Sequence, residues 1–302
     1  MAFAKQSDPF ASSSKTRIEN IHPLLPRVPL YLLSPGDLHL GGRNRGEALL
    51  EILLASECKV LVLNGDFLDV DSLKHLLKRL SKSDRELIRL IEKKRLAGTQ
   101  VVYTKGNHDE NLLELLDQVE SARREAAYRE GTEQHEVLET LSLIRNWQWQ
   151  DVFVHEHRGM TYVHAHGDQW DHIVHGRYFG KVLSIVGAFL WELLKRIDSE
   201  KHKVAIFAKR RVKLWMKVSG NVADGALALA KQYQAHYVFA GHTHDSRQFT
   251  NDGVGYVNAG SFDLYESGLV SIDMEGKVTL HHVRARSRLI DRRYDENETG
   301  SA

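Results

Sequence analysis

An aspartate and a histidine stand two residues apart in SPGDLHLGG, Asp37 and His39, just after the apolar run VPLYLL. At the end of an extended strand, side chains two apart point to one side. The pair is either the start of a hard-metal site or a polar turn leaving a strand. Four later segments carry the same kinds of side chain. NGDFLD holds Asp66, and KGNHDE holds Asn107, His108 and Asp109. HAHGD holds His164, His166 and Asp168, and GHTH holds His242 and His244. Carboxylate and amide oxygens mix with imidazole nitrogens, and no thiolate is offered. That donor set suits manganese, iron or zinc and not a structural cysteine-type zinc site. Any one segment also reads as a solvated turn, and a lone histidine near a strand end reads as a structural one. Together they supply the roughly seven donors that two ions sharing a carboxylate need.

Each segment ends a short apolar run. VPLYLL, KVLVL (59–63) and QVVYT (100–104) read as buried strands, and residues 45–56 and 71–97 between them as helices, the second a single helix or a pair. Strands alternating with helices point to an α/β core. A polar helical stretch then runs to about Ile144. DVFVHEHRGMTYVHAH reads as a hairpin turning at Arg158-Gly159, residues 169–232 as helical, and HYVFA, VGYVNA, LVSID and KVTLHHV as returning strands. Ligands in open α/β sheets gather beyond the carboxyl ends of the strands, so the five loops would converge. A glycine beside each key residue suits tight turns with positive φ.

The bulk numbers bound the rest. The chain has 302 residues and a formal net charge of +1, so overall charge selects no partner. One cysteine, Cys58, excludes an intramolecular disulfide framework and fits a reducing, cytoplasmic setting. The start has no apolar signal region, and no apolar run is long enough to span a bilayer. Residues 1–27 read as a loose arm and 284–302 as a charged tail, flanking one domain over 28–283 with a helical insertion over about 169–232.

The order GDLH, NGD, GNHD, HGD, GHTH resembles the calcineurin-like metallophosphoesterases, over roughly residues 28–283. The resemblance implies an α/β fold, a four-layer αββα sandwich with a helical cap insertion, and two divalent metal ions, manganese foremost, at one end. By the matching motifs, Asp37 and His39 would bind the first ion with His244. Asp66 would bridge, and Asn107, His166 and His242 would bind the second. His108 matches the catalytic histidine and Asp109 would orient it, while His164 reads as a core or supporting histidine. The implied reaction is attack of an activated water on phosphorus. Gly36 departs from the usual serine before the first aspartate. Arg43, Asn44 and Arg45 follow the first motif and could reach phosphate, or only begin a helix.

The segment from Asp171 to Val218 holds 11 Lys or Arg against 4 Asp or Glu, among apolar runs VLSIVGAFLWELL and VAIFAKRRVKLWMKV. Such helices suit an anionic membrane surface or a lid over acyl chains; they also suit a plain helical cap. An insertion here, with YVNAGSF and SGLVSID later, looks like the UDP-2,3-diacylglucosamine pyrophosphatase branch, which implies a nucleotide-diphospho-lipid substrate and peripheral contact with the inner membrane. Well-known members of that branch carry Arg where this chain has His108, which leaves open a soluble substrate: a nucleotide, a cyclic nucleotide or a phosphoprotein. Ser219, Asn221 and Asp224 lie near that branch's substrate contacts without a firm alignment. A scaffold without activity fits poorly because every ligand position is filled. Nucleic-acid binding has no recognisable module behind it.

Overall fold

The structure is a computed structural model that describes residues 29–42, 46–69, 72–125, 130–171, 213–262 and 267–283. The expected arm and tail, Arg43 to Arg45, and the insertion from 172 to 212 lie outside the described residues.

Four strands run parallel in one sheet: β1 (Leu30–Pro35), β2 (Cys58–Asn64), β3 (Gln100–Thr104) and β4 (Gln148–Gln150). Their apolar residues are buried on both faces, as LYLLSP and VLVLN require. Two antiparallel strands, β10 (Ser267–Asp273) and β11 (Val278–Val283), extend it in the order β11-β10-β1-β2-β3-β4. The second sheet contains β5 (Val152–His157), β6 (Met160–Ala165), β7 (Tyr237–Ala240), β8 (Arg247–Asn251) and β9 (Val254–Asn258), in the order β5-β6-β7-β9-β8. The hairpin expected at Arg158-Gly159 joins β5 to β6, with Arg158 at φ 54° and Gly159 at φ 74°.

Three apolar layers hold the molecule together. Leu32, Val60, Val62, Phe239 and Val257 pack between the sheets. The outer face of the first sheet buries Leu33, Leu61 and Tyr103 against helices α1 (Gly46–Ala55), α2 (Leu73–Arg79), α3 (Lys82–Leu96), α4 (Leu112–Arg123) and α5 (Glu133–Leu143). The outer face of the second sheet buries Val163, Val238 and Tyr256 against α6 (Lys213–Gln232), through Val222, Ala226 and Ala230. The result is the expected mixed α/β sandwich, with helices outside two facing sheets.

Residues 71–97 resolve into a pair of helices. Ser81 breaks the run because its side chain accepts the Asp84 N–H while Asp84 accepts the Ser81 N–H, a reciprocal cap that starts α3. Two strands are absent from the sequence reading. β4 is three residues long, and β8 (RQFTN) is a polar, half-exposed strand at the sheet's edge, so neither carries a buried apolar run.

Candidate metal centre

All five polar segments leave the carboxyl ends of strands, three from the first sheet (β1, β2, β3) and two from the second (β6, β7). The sheets face each other, so the segments meet along one edge of the sandwich. Asn64, at the end of β2, fastens the seam. Its amide donates to the carbonyls of Ala165 and Phe239, and it accepts the Thr104 hydroxyl.

Three overlapping groups of ligand-type atoms form there, one of them, His39, Asp66 and His108, reaching out to the rim. Asp37, His39 and His244 bring one atom each within 4.8 Å of one another, and so do Asp66, His166 and His242. Asp66 Oδ2 lies 3.2 Å from His166 Nε2 and 3.9 Å from His39 Nε2, so it sits between the groups. Asn107 Oδ1 lies 2.8 Å from His242 Nδ1, which adds Asn107 to the second group. His39 Nε2 and His244 Nε2 are 3.2 Å apart, and His244 Nε2 is 3.3 Å from Asp37 Oδ2.

These separations fit cations. Ligand atoms about 2.1 Å from one ion lie roughly 3.0–3.4 Å apart in octahedral or tetrahedral geometry. The nitrogen orientations fit as well. His166 Nδ1 donates to the Asn64 carbonyl at 2.8 Å, which turns Nε2 toward Asp66; that buried nitrogen has no well-aligned hydrogen bond. Two lone pairs cannot face each other at this distance, so a proton or a cation must lie between them.

The backbone holds these side chains under strain. His39, Asp66, His242 and His244 all have positive φ, between 48° and 62°, a conformation costly for residues other than glycine. The expectation that glycines take the positive φ holds for Gly65 and Gly167. Gly106 has another reason to be glycine: a Cβ there would lie 2.2 Å from Asp66 Oδ1. Gly36, the departure from serine, likewise packs on the Gly260 carbonyl, 2.4 Å from where its Cβ would be. Asn258, fully buried in β9, ties down the GHTH turn by donating to the Gly241 carbonyl and accepting from the Gly260 N–H.

One expectation is corrected. Asp109 does not orient His108. Its carboxylate is buried and accepts the N–H groups of Phe67 and Leu68, both at 3.3 Å. His108 Nδ1 instead meets Asp69 Oδ1 at 3.0 Å. Nothing in the spacing of Asp69, three residues after Asp66 in NGDFLD, shows that it faces another loop. His108 is half exposed at the rim, its ring 4.6 Å from that of His39, and its backbone N–H donates to Asp66 Oδ1. His164 is a core histidine, stacked on Phe239 at 4.4 Å with Nε2 3.1 Å from His155 Nε2. Arg43, Asn44 and Arg45 lie outside the described residues.

Residues 35–246, well over half of the chain, match the family described as calcineurin-like phosphoesterase. The chain belongs to this family. It is accordingly a metal-dependent phosphoesterase, and the Asp and His groups are where divalent ions would bind. Among curated proteins there is no significant match. Among the solved structures similar to the phosphoesterase are the following three, all at low identity. A conserved protein of Streptococcus pneumoniae described as a predicted phosphoesterase is 14% identical, with 85% of this chain and 94% of that one covered at a TM-score of 0.37. An archaeal phosphodiesterase is 12% identical, with 83% and 99% covered at 0.38. Vacuolar protein sorting 29 of Cryptosporidium parvum is 11% identical, with 84% and 97% covered at 0.38.

The site's electrostatics couple metal uptake to protons. Burial raises the Asp66 carboxyl, but the charge of His166, with those of His39 and His108, outweighs it and holds Asp66 ionised. Burial lowers His166, but Asp66 and Asp37 outweigh it and hold the ring protonated well above its usual range. A cation bound at His166 Nε2 must displace that proton. Apparent affinity of the phosphoesterase for the second ion should therefore rise with pH through neutrality, about tenfold per unit for each proton released. Calorimetric Mn titrations in buffers of differing ionisation enthalpy measure the release. Affinity that stays flat from about pH 6 to 8 would contradict the His166 assignment.

Proposed function

We propose that this phosphoesterase hydrolyses the phosphoanhydride of a nucleotide-diphospho-lipid such as UDP-2,3-diacylglucosamine, with manganese as the preferred metal, at the cytoplasmic face of the inner membrane. The observation that carries the hydrolytic reading is the pair of ligand groups joined through Asp66. The lipid reading rests on sequence: the basic, apolar insertion falls between HGD and GHTH in the chain. Its described end, α6, packs against the turn that follows His166. No helix among the described residues is long and apolar enough to cross a membrane. Cys58 is a free thiol, and burial pushes its pKa up to about 11, as suits a structural cysteine.

Bound at these groups, two divalent cations supply Lewis-acid polarisation of the phosphoryl group and a water of lowered pKa. Asp37, His39 and His244 would hold the first ion and Asn107, His166 and His242 the second, with Asp66 shared. Burial acts to lower His108, but Asp69, Asp66 and Asp109 raise it to about 9. Cations in the two groups would bring it back toward neutrality, where a general acid works best. Asp69 holds Nδ1–H, which leaves Nε2–H to donate to a phosphoryl or leaving-group oxygen.

Hydrolysis of UDP-2,3-diacylglucosamine compared with aryl phosphodiesters, with Mn added, tests the substrate. Each Lys or Arg near an anionic surface contributes ~1 kcal/mol, screened by salt. Neutralising Lys209, Arg210, Arg211 and Lys213 should weaken binding to phosphatidylglycerol liposomes and activity on lipid substrate, yet spare the aryl diester. If the wild type ignores anionic liposomes at low salt and prefers a water-soluble nucleotide, the insertion is a cap. His108 standing where the branch carries Arg favours that second reading.

A further inference from the structure

The two histidines of the second ligand group present opposite ring nitrogens. His166 turns Nε2 to the site because Nδ1 donates to the Asn64 carbonyl. His242 turns Nδ1 to the site, 2.8 Å from Asn107 Oδ1. Its other nitrogen, Nε2, meets Asp171 Oδ2 at 3.0 Å. Asp171 is 5% exposed, and no sequence motif pointed to it.

We propose that Asp171 is a positioning residue for the second metal ion: by accepting the His242 Nε2–H it fixes the tautomer and ring angle that present Nδ1 beside Asn107, and α6 fixes Asp171. This rests on the metal-centre reading above. A carboxylate behind a metal-binding imidazole sets the tautomer and raises the basicity of the nitrogen at the ion, more than a neutral carbonyl does. The second group would otherwise have one shared carboxylate, one amide and two neutral rings.

The support for Asp171 is traceable. It ends the 3-10 turn Asp168–Trp170, its N–H donating to the Asp168 carbonyl at 2.9 Å. Trp170 lies flat against α6 at Gly225, where a Cβ would come within 2.2 Å of the indole Cγ. The turn therefore cannot shift toward α6, and Gly225 is the only residue type that lets it sit this close. Arg247, a few residues beyond the GHTH turn, donates to the Ser219 carbonyl of α6, so the helix is tied to both second-sheet loops of the site.

Mn binding to Asp171→Ala and Asp171→Asn, read by calorimetry and by the exchange-coupled electron paramagnetic signal of a Mn pair, tests this. Losing such a partner typically weakens metal affinity 10–100-fold, as an order of magnitude. Asp171→Ala should lose about that factor for one ion and keep the other. The pair signal should give way to that of isolated Mn where the wild type is fully paired. Asp171→Asn keeps an acceptor oxygen and the side-chain shape, so it should recover part of the affinity and serves if the alanine variant does not fold. Gly225→Ala, which displaces Trp170 without touching a ligand, should weaken the same ion. A wild type that takes up two ions, with all three variants within about twofold of it for both, overturns the inference alone. A wild type that takes up fewer than two overturns the metal-centre reading, and this one with it.

Discussion

Asp66→Asn should abolish metal-dependent hydrolysis and lower the stability of the metal-free protein. The asparagine oxygen can still accept the His108 N–H that Asp66 Oδ1 accepts at 2.8 Å. Its amide nitrogen would face His166 Nε2, where the carboxylate now lies at 3.2 Å, and donate to it. The protonated His166 ring, however, loses the carboxylate that holds it charged, and with that buried pair the metal-free protein should lose stability. Both ligand groups lose their shared anion. The cations contribute several kcal/mol of transition-state stabilisation, so activity should fall by roughly three decades at about 1.4 kcal/mol per decade. Elemental analysis after Mn loading should find fewer than two ions per chain, beside a lowered melting temperature. Two tightly held ions in this variant would mean that Asp66 is not the bridge.

His108→Ala is expected to separate chemistry from metal binding. The ring sits at the rim, held by Asp69, and its matching family role is donation to the reacting phosphoryl group. Removing one such donor costs ~10²–10³ in rate. Metal content should stay at the wild-type value, and the loss should fall on kcat more than KM. Asp69→Asn should give a smaller loss of the same kind. Asp109→Asn should behave differently, because Asp109 braces the Phe67 and Leu68 N–H groups inside the protein. Burial and Asp66 push its carboxyl up to about 7. An amide there can turn only one oxygen to the two donors, leaving one N–H unpaired at about 1–3 kcal/mol. The readout is stability, and a metal loss in His108→Ala would reassign that histidine as a ligand.

The difference between Asp69 and Asp109 shows where sequence reading stops. Asp109 adjoins His108 in the chain, and adjacency made it the natural partner. Neighbouring residues in a tight turn point apart, however, and the Asp109 side chain went inward to the backbone of the β2 loop. Asp69 reached His108 from 39 residues away. Asn64 and Asn258 are equally silent in the sequence, because a buried amide that staples loops has no spacing signature. The short strands β4 and β8 are not legible in the sequence because strands of three residues, or polar ones at an edge, show no apolar run.

Much was determined locally. Apolar runs ending in GD, GNHD, HGD and GHTH dictate that each donor sits at the carboxyl end of a strand, since strand burial and loop polarity are properties of short segments. The pairing of those strands was not local. Three segments come from one sheet and two from another, and only the packing of the sheets brings Asp37 to His244 and Asp66 to His166. Asp171 is the clearest case. Its own segment marks it as one more polar residue after HGD, and the close approach of α6 at Gly225 sets it behind His242. A ligand's type is written in its side chain, but its tautomer and angle depend on atoms tens of residues away, which meet it only when the core closes.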